Sequence, residues 1–222
     1  MTNNNYFGYT FRVITLESVK IKLLKGHIMK LVNSLAITAI LGLNVLYASD
    51  YKVDPVHSEI GFKVKHLMIS SVKGTFKNFE GTYSLDEGKK HFSALEGTVE
   101  VATLNTDEKD RDDHLRSPDF FDVKKYPKMK LKLLKQNGDK ATVELTIKDV
   151  TKTITMELEE INGPVKDPWG NVRSAFELHG KINRKDFNIN FNKILETGGL
   201  LVGDTVKMDI VIEGIKTNKT TK

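Results

Sequence analysis

Between residues 59 and 213 the chain is written in period two, and that pattern limits its fold more than any other feature. Ile60, Phe62, Val64 and His66 fall on one side of an extended strand, and Glu59, Lys63 and Lys65 on the other. The alternation returns at Phe79, Gly81, Tyr83 and Leu85, at Met129, Leu131 and Leu133, and at Val143, Leu145 and Ile147. It continues through Ile154, Met156 and Leu158, through Phe176, Leu178 and Ile182, and through Val206, Met208, Ile210 and Ile212. Side chains alternate faces along a strand, so each run gives one buried and one wetted face, the signature of antiparallel sheet. Asp86-Glu87-Gly88, Asn137-Gly138-Asp139, Asn162-Gly163-Pro164, Trp169-Gly170-Asn171 and Gly198-Gly199 supply the turns between them. Eight or nine strands and almost no helix follow, an all-β chain.

A sheet of that length must close on itself or fold into two layers, because free edges recruit other chains. Periodicity alone does not choose between sandwich and barrel. Asn105 to Asp122 breaks the period. Asn105 with Glu108 three residues on fits a helix N-cap and its return partner, and Pro118 ends the element. A short helical insertion therefore interrupts the sheet.

The N-terminal segment reads differently. Leu31 to Leu46 is a 16-residue apolar stretch that contains Asn33, Ser34, Thr38 and Asn44, follows Lys30 and leads to Tyr47-Ala48-Ser49. It is short and polar for a membrane span. With its basic start and small-residue end, 29–48 reads as a secretory signal peptide cleaved near Ala48. Residues 1–28 precede Met29 without targeting logic; Lys25-Gly26 can be encoded as a ribosome-binding sequence, so 1–28 reads as a mis-called leader or an extension. Residues 49–215 form the β domain and 216–222 a polar tail.

The net charge of +5 invites a nucleic-acid reading until it is located. Arg12, Lys20, Lys22, Lys25 and Lys30 against Glu17 account for most of it, and the remaining 29 basic and 28 acidic residues nearly cancel. Global charge gives no reason to expect nucleic acid. The absence of cysteine removes disulfides, thiolate metal sites and thiol catalysis.

A barrel of eight strands has room for its own side chains or one slender ligand. Phe62, Val64, Phe79, Tyr83, Leu133, Met156, Phe176 and Met208 share the inward faces and are candidate walls of a ligand cavity. For any one of them, simple core packing is the commoner role. His66 is the candidate polar contact, as a donor or a switchable charge. From the insertion, Leu115, Phe120 and Phe121 are placed at a barrel end or entrance, with His114 beside them. Arg111 and Arg116 either meet an anionic head group there or pair locally. Asp107, Asp110, Asp112 and Asp113 form an acidic cluster, but calcium-loop spacing is lacking and a solvated face is the simpler reading. Asp54 suits the fixing of a strand entry through backbone bonds. No cofactor is called for.

YKVDPVHSEIGFKVKHLMISSVKGTFKNFEG and RDDHLRSPDFFDVKKYP, in that order, resemble the YceI family of bacterial lipocalin-like polyisoprenoid-binding proteins. The resemblance spans about Tyr51 to Ile215. It rests on Asp54, His57-Ser58, Phe62 and His66, on Gly74, Phe76, Phe79 and Gly81, and on Arg111-Asp112, His114-Leu115, Phe120-Phe121 and Tyr126-Pro127. Leu145 to Leu158 resembles the family's later paired strands, with Lys148-Asp149 where glycine is commoner. The resemblance implies an extended antiparallel eight-stranded lipocalin-like barrel that holds an elongated isoprenoid, quinone-like or acyl lipid. It further implies a periplasmic, non-enzymatic protein, a homodimer, and transient membrane contact. The alternative is a β domain with a filled core that acts through its surface, in a stress-related role. A hydrolase acting on a lipid-linked substrate is a third reading, since Ser58 adjoins His57 in sequence.

Overall fold

The computed structural model describes residues 48–194 and 201–217. The leader, the signal segment, the Gly198-Gly199 turn and the end of the polar tail lie outside the described residues. The strands are β1 (Ser49–Val53), β2 (Glu59–His66), β3 (Ser70–Phe76), β4 (Phe79–Asp86), β5 (His91–Glu100) and β6 (Leu104–Asn105). Helix α1 (Lys109–Arg116) follows, and then β7 (Lys128–Asn137), β8 (Lys140–Ile147), β9 (Val150–Lys166), β10 (Val172–Asn183) and β11 (Val202–Lys216).

Eleven strands make an eight-stranded barrel because three wall positions, β1 with β2, β3 with β4 and β5 with β6, are each built from two pieces. β1 pairs with β4 through Tyr51 and Tyr83, and β2 pairs with β3 through Ile60 and Phe76. These four strands thus form one long hairpin, kinked at Asp54–Ser58 on one arm and at Lys77-Asn78 on the other. The wall continues antiparallel through β5, β7, β8, β9, β10 and β11, and β11 pairs back with β1 at Tyr51–Lys216. The closed eight-stranded antiparallel barrel that the resemblance implies is what forms, and it decides between the barrel and the sandwich that periodicity left open.

The turns explain themselves locally. Lys148 sits in the two-residue β8–β9 loop with φ 58°, the left-handed region that glycine enters most easily. Asn162-Gly163-Pro164 is not a turn but lies within β9, where the chain slips register against β10. Proline is tolerated because β8 ends its pairing at Glu157, leaving that edge of β9 free. The reversal comes later, at Asp167–Asn171, where the Asp167 carboxylate accepts from the Trp169 and Asn171 amides.

The helix begins later than its sequence suggests. Glu108 is the N-cap, its carboxylate accepting from the Asp110 and Arg111 amides at 3.1 and 2.6 Å. Asn105 is held in β6 against Thr75 and spends its side chain on Asp107. After Glu100 the chain makes only the short β6 pairing with β3 before it returns to the wall at Lys128, and α1 with the residues that follow it covers that end.

The interior divides in two. At the end where β1 meets β11, Tyr51, Tyr83, Phe92 and Phe176 stack as an aromatic plug, with ring centroids 4.7–5.6 Å apart. Leu85, Met156, Val143 and Leu178 complete that packing. The other end, under α1 and the residues that follow it, is lined by a second apolar cluster that includes Phe76, Val99, Phe120, Leu145, Phe187 and Ile189.

Candidate functional site

The second cluster does not fill its half of the barrel. It surrounds a cavity of about 190 Å³. β2 contributes Ile60, Phe62 and Val64; β8 contributes Leu145 and Ile147; β11 contributes Val206, Met208 and Ile210. Phe176 and Leu178 form the floor, where the plug begins, and Leu115, Phe120 and Phe121 form the roof. Two glycines make room for walls. Gly74 faces Phe62 across β2–β3, and a Cβ there would lie 2.4 Å from the Phe62 ring. Gly180 faces Met208, whose methyl group lies 2.9 Å from where a Cβ would stand.

Phe62, Val64, Phe79, Leu115, Phe120, Phe121, Phe176 and Met208, named from the sequence, are thus brought together around one space. The remaining candidates are placed elsewhere. Tyr83 and Met156 belong to the plug, and Leu133 packs against it from its edge. The Tyr83 hydroxyl lies 2.7 Å from Ser174 Oγ and donates to the Ser174 carbonyl at 3.0 Å; burial pushes its pKa up to about 12. His66 ends β2, one inward position beyond Val64 and outside the cavity wall. His114 stands behind the roof: its ring meets Phe120 and Phe191 edge-on at 5.0 and 4.7 Å, and Nε2 lies 3.0 Å from Asp119.

The roof is tied down by polar groups of the insertion, and Arg116 also pairs locally with Asp113 at 3.1 Å, as the sequence reading allowed. Asp112, buried in the acidic cluster, accepts from the amide and hydroxyl of Thr106 at 2.9 and 2.5 Å. Arg111 donates to the same Thr106, and Arg116 donates to the Ala102 and Leu104 carbonyls. Both arginines therefore fasten α1 to the 102–106 segment.

Arg184 carried no signal in the sequence and is 3% exposed beside the cavity. Its guanidinium donates to the carbonyls of Gly203, Ile189, Phe191 and Val202 and to Asp204, which engages all five of its N–H groups. Burial lowers its pKa, and Asp204 opposes that shift. It holds the start of β11 to the segment after β10, and with Phe187 and Ile189 completes the wall. Those two residues sit in an irregular stretch, where no alternation announces an inward face.

At the plug end, Asp54 accepts from the Val56 amide, as a strand-entry residue should, and also pairs with Arg173 at 2.7 Å. Arg173 reaches Asp167 at 2.8 Å and Glu213 at 2.6 Å as well. Its Nη1 bridges Asp54 and Glu213, two of the three residues of the Asp54, His57 and Glu213 group that could otherwise draw a cation. Ser58 Oγ accepts from the Glu213 amide and donates to its carbonyl, while His57 turns to Asp54.

A family match covers residues 51–214, from the first strand through the last, and its description is a YceI-like domain. The chain belongs to the YceI family. A YceI relative in Photorhabdus laumondii, a UPF0312 protein, is 42% identical over 147 residues, which cover 64% of this chain and 76% of that one. The solved YCEI protein of Campylobacter jejuni superposes with a TM-score of 0.60 at 35% identity, covering 74% of this chain and 96% of its own. A polyisoprenoid binding domain from Saccharophagus degradans shares the fold at 13% identity, with a TM-score of 0.55 over 75% and 98% of the two chains.

Proposed function

We propose that this YceI protein is a non-enzymatic carrier that binds and sequesters the tail of an elongated amphiphilic lipid in the periplasm. The observation that carries the reading is the half-filled barrel: an aromatic plug closes one end, and an apolar cavity occupies the other. A cavity of about 150 Å³ takes one benzene ring, so this space takes on the order of eight heavy atoms. That matches the last one or two isoprene units of a prenyl or quinone side chain, or the end of a fatty acyl chain or amide. Each buried methylene contributes about 0.8 kcal/mol, so a tail of this size binds without a metal or a covalent step. The polyisoprenoid binding domain with the same fold supports this cargo class. The basic start, apolar middle and small-residue end of 29–48 support export.

Displacement of a fluorescent fatty acid by prenols of increasing length tests the reading. Affinity should rise with each added carbon until about eight to ten and then level off. Affinity that ignores tail length would contradict it. Ester forms of the same lipids should be recovered intact, and hydrolysis abolished by Ser58→Ala would overturn the non-enzymatic part.

A further inference from the structure

On the outer wall of the barrel, Lys181 faces Lys207, Lys207 faces Lys63, and Lys63 faces Lys73. Four lysines thus stand in one row across β10, β11, β2 and β3, all exposed, with Lys65 one outward position nearer the α1 end of β2. None of the five forms an ion pair among the described residues. Like charges directly opposite one another weaken a sheet, so nothing in the fold itself calls for this row.

The row leads to an apolar rim. The β2–β3 turn presents Met68 and Ile69, 58% and 84% exposed, and Ile194 nearby is 81% exposed. These positions are joined: the Leu67 amide donates to the Leu201 carbonyl, and the Leu201 amide to the Lys193 carbonyl. Lys65 stands three residues from Met68 across the turn, at most about 10 Å, within roughly one screening length at physiological salt. A second exposed apolar pair, Val56 and Trp169, sits beside Asp54 and Asp167, where Arg173 is spent on the carboxylates of Asp54, Asp167 and Glu213.

We infer that the β10–β11–β2–β3 wall docks on an anionic phospholipid surface, with Met68, Ile69 and Ile194 entering the interface and the lysine row facing the phosphates. An apolar insertion joined to a basic patch is the combination that makes membrane attachment reversible but firm. A soluble polyanion such as DNA would use the lysines and leave the aliphatic rim without purpose. The inference goes beyond cargo binding and does not depend on it.

Flotation of the protein isolated from cells expressing the full chain tests this, using vesicles of phosphatidylcholine with phosphatidylglycerol and vesicles of phosphatidylcholine alone. The parent should float only with the anionic vesicles and be released by salt. Changing Lys63, Lys73, Lys181 and Lys207 to Gln should lower partitioning roughly tenfold or more, while Lys→Arg at the same positions preserves it. Met68→Ser with Ile69→Ser should weaken attachment while both variants keep the parent's melting temperature and bound cargo. Failure of the parent to float, equal flotation on neutral vesicles, or indifference to both sets of changes would overturn the inference. So would a rim variant that binds vesicles and duplex DNA as well as the parent does. Cargo mass is read separately, so the carrier function and the docking surface fail or stand independently.

Discussion

Gly74 carries no side chain, and the Phe62 ring occupies the space that one would need. A Cβ there would also lie 2.7 Å from Thr106, so neither neighbour has free room. Gly74→Ala should destabilise the protein by about 1–3 kcal/mol in urea unfolding, the usual range for overpacking; an unchanged midpoint would show that Phe62 is loosely held. Arg173 governs a pH effect. Its guanidinium, helped at Asp54 by His57, holds Asp54 and Asp167 each at about 2. Carboxylates depressed in the folded state stabilise it above their ordinary range, and that contribution fades as pH falls from about 4 through 2. The urea midpoint of the parent should therefore drop over that window. Arg173→Met should be less stable at neutral pH and lose most of the acid slope; parallel curves would sink the assignment. Asp54 was legible as a strand-entry residue, because a side chain bonding its own local backbone needs only sequence neighbours. Its pairing with Arg173, 119 positions away, was not.

At the scale of elements, the strands were readable because one face of each is buried and one wetted, and Val143, Leu145 and Ile147 show the pattern without exception. The helix start was not, since Asn105 has a sheet partner in Thr75 that its sequence does not reveal. The Arg111-Asp112 pair reads as part of a charged surface, yet Asp112 is buried and fastens the roof to Thr106. Asp112→Ala strands a buried amide and hydroxyl and should cost about 1–3 kcal/mol. Because the roof covers the cavity, the same change should speed cargo release and raise amide hydrogen exchange at Thr106. Faster exchange with an unchanged release rate would mean that the cargo leaves by another route.

For the molecule as a whole, the period of two describes the plug and the cavity equally well. Tyr83 and Phe79 belong to the same inward face of β4, yet one is packed in the plug and the other lines the empty half. What separates them is the summed side-chain volume at each height of the barrel, a property of all eight wall positions together that no single run expresses. Filling the hollow half should therefore remove binding without harming the fold. Val206→Phe adds bulk where β11 faces the cavity and should lower lipid uptake at least tenfold with no loss of thermal stability. Native mass spectrometry of the protein purified without detergent, before and after organic extraction, tests the central claim most directly. The account predicts one extractable lipid per chain, with about eight heavy atoms of its tail within the barrel, and its rebinding by the emptied protein. A compact protein that carries no lipid and refuses added prenyl and acyl chains would contradict it.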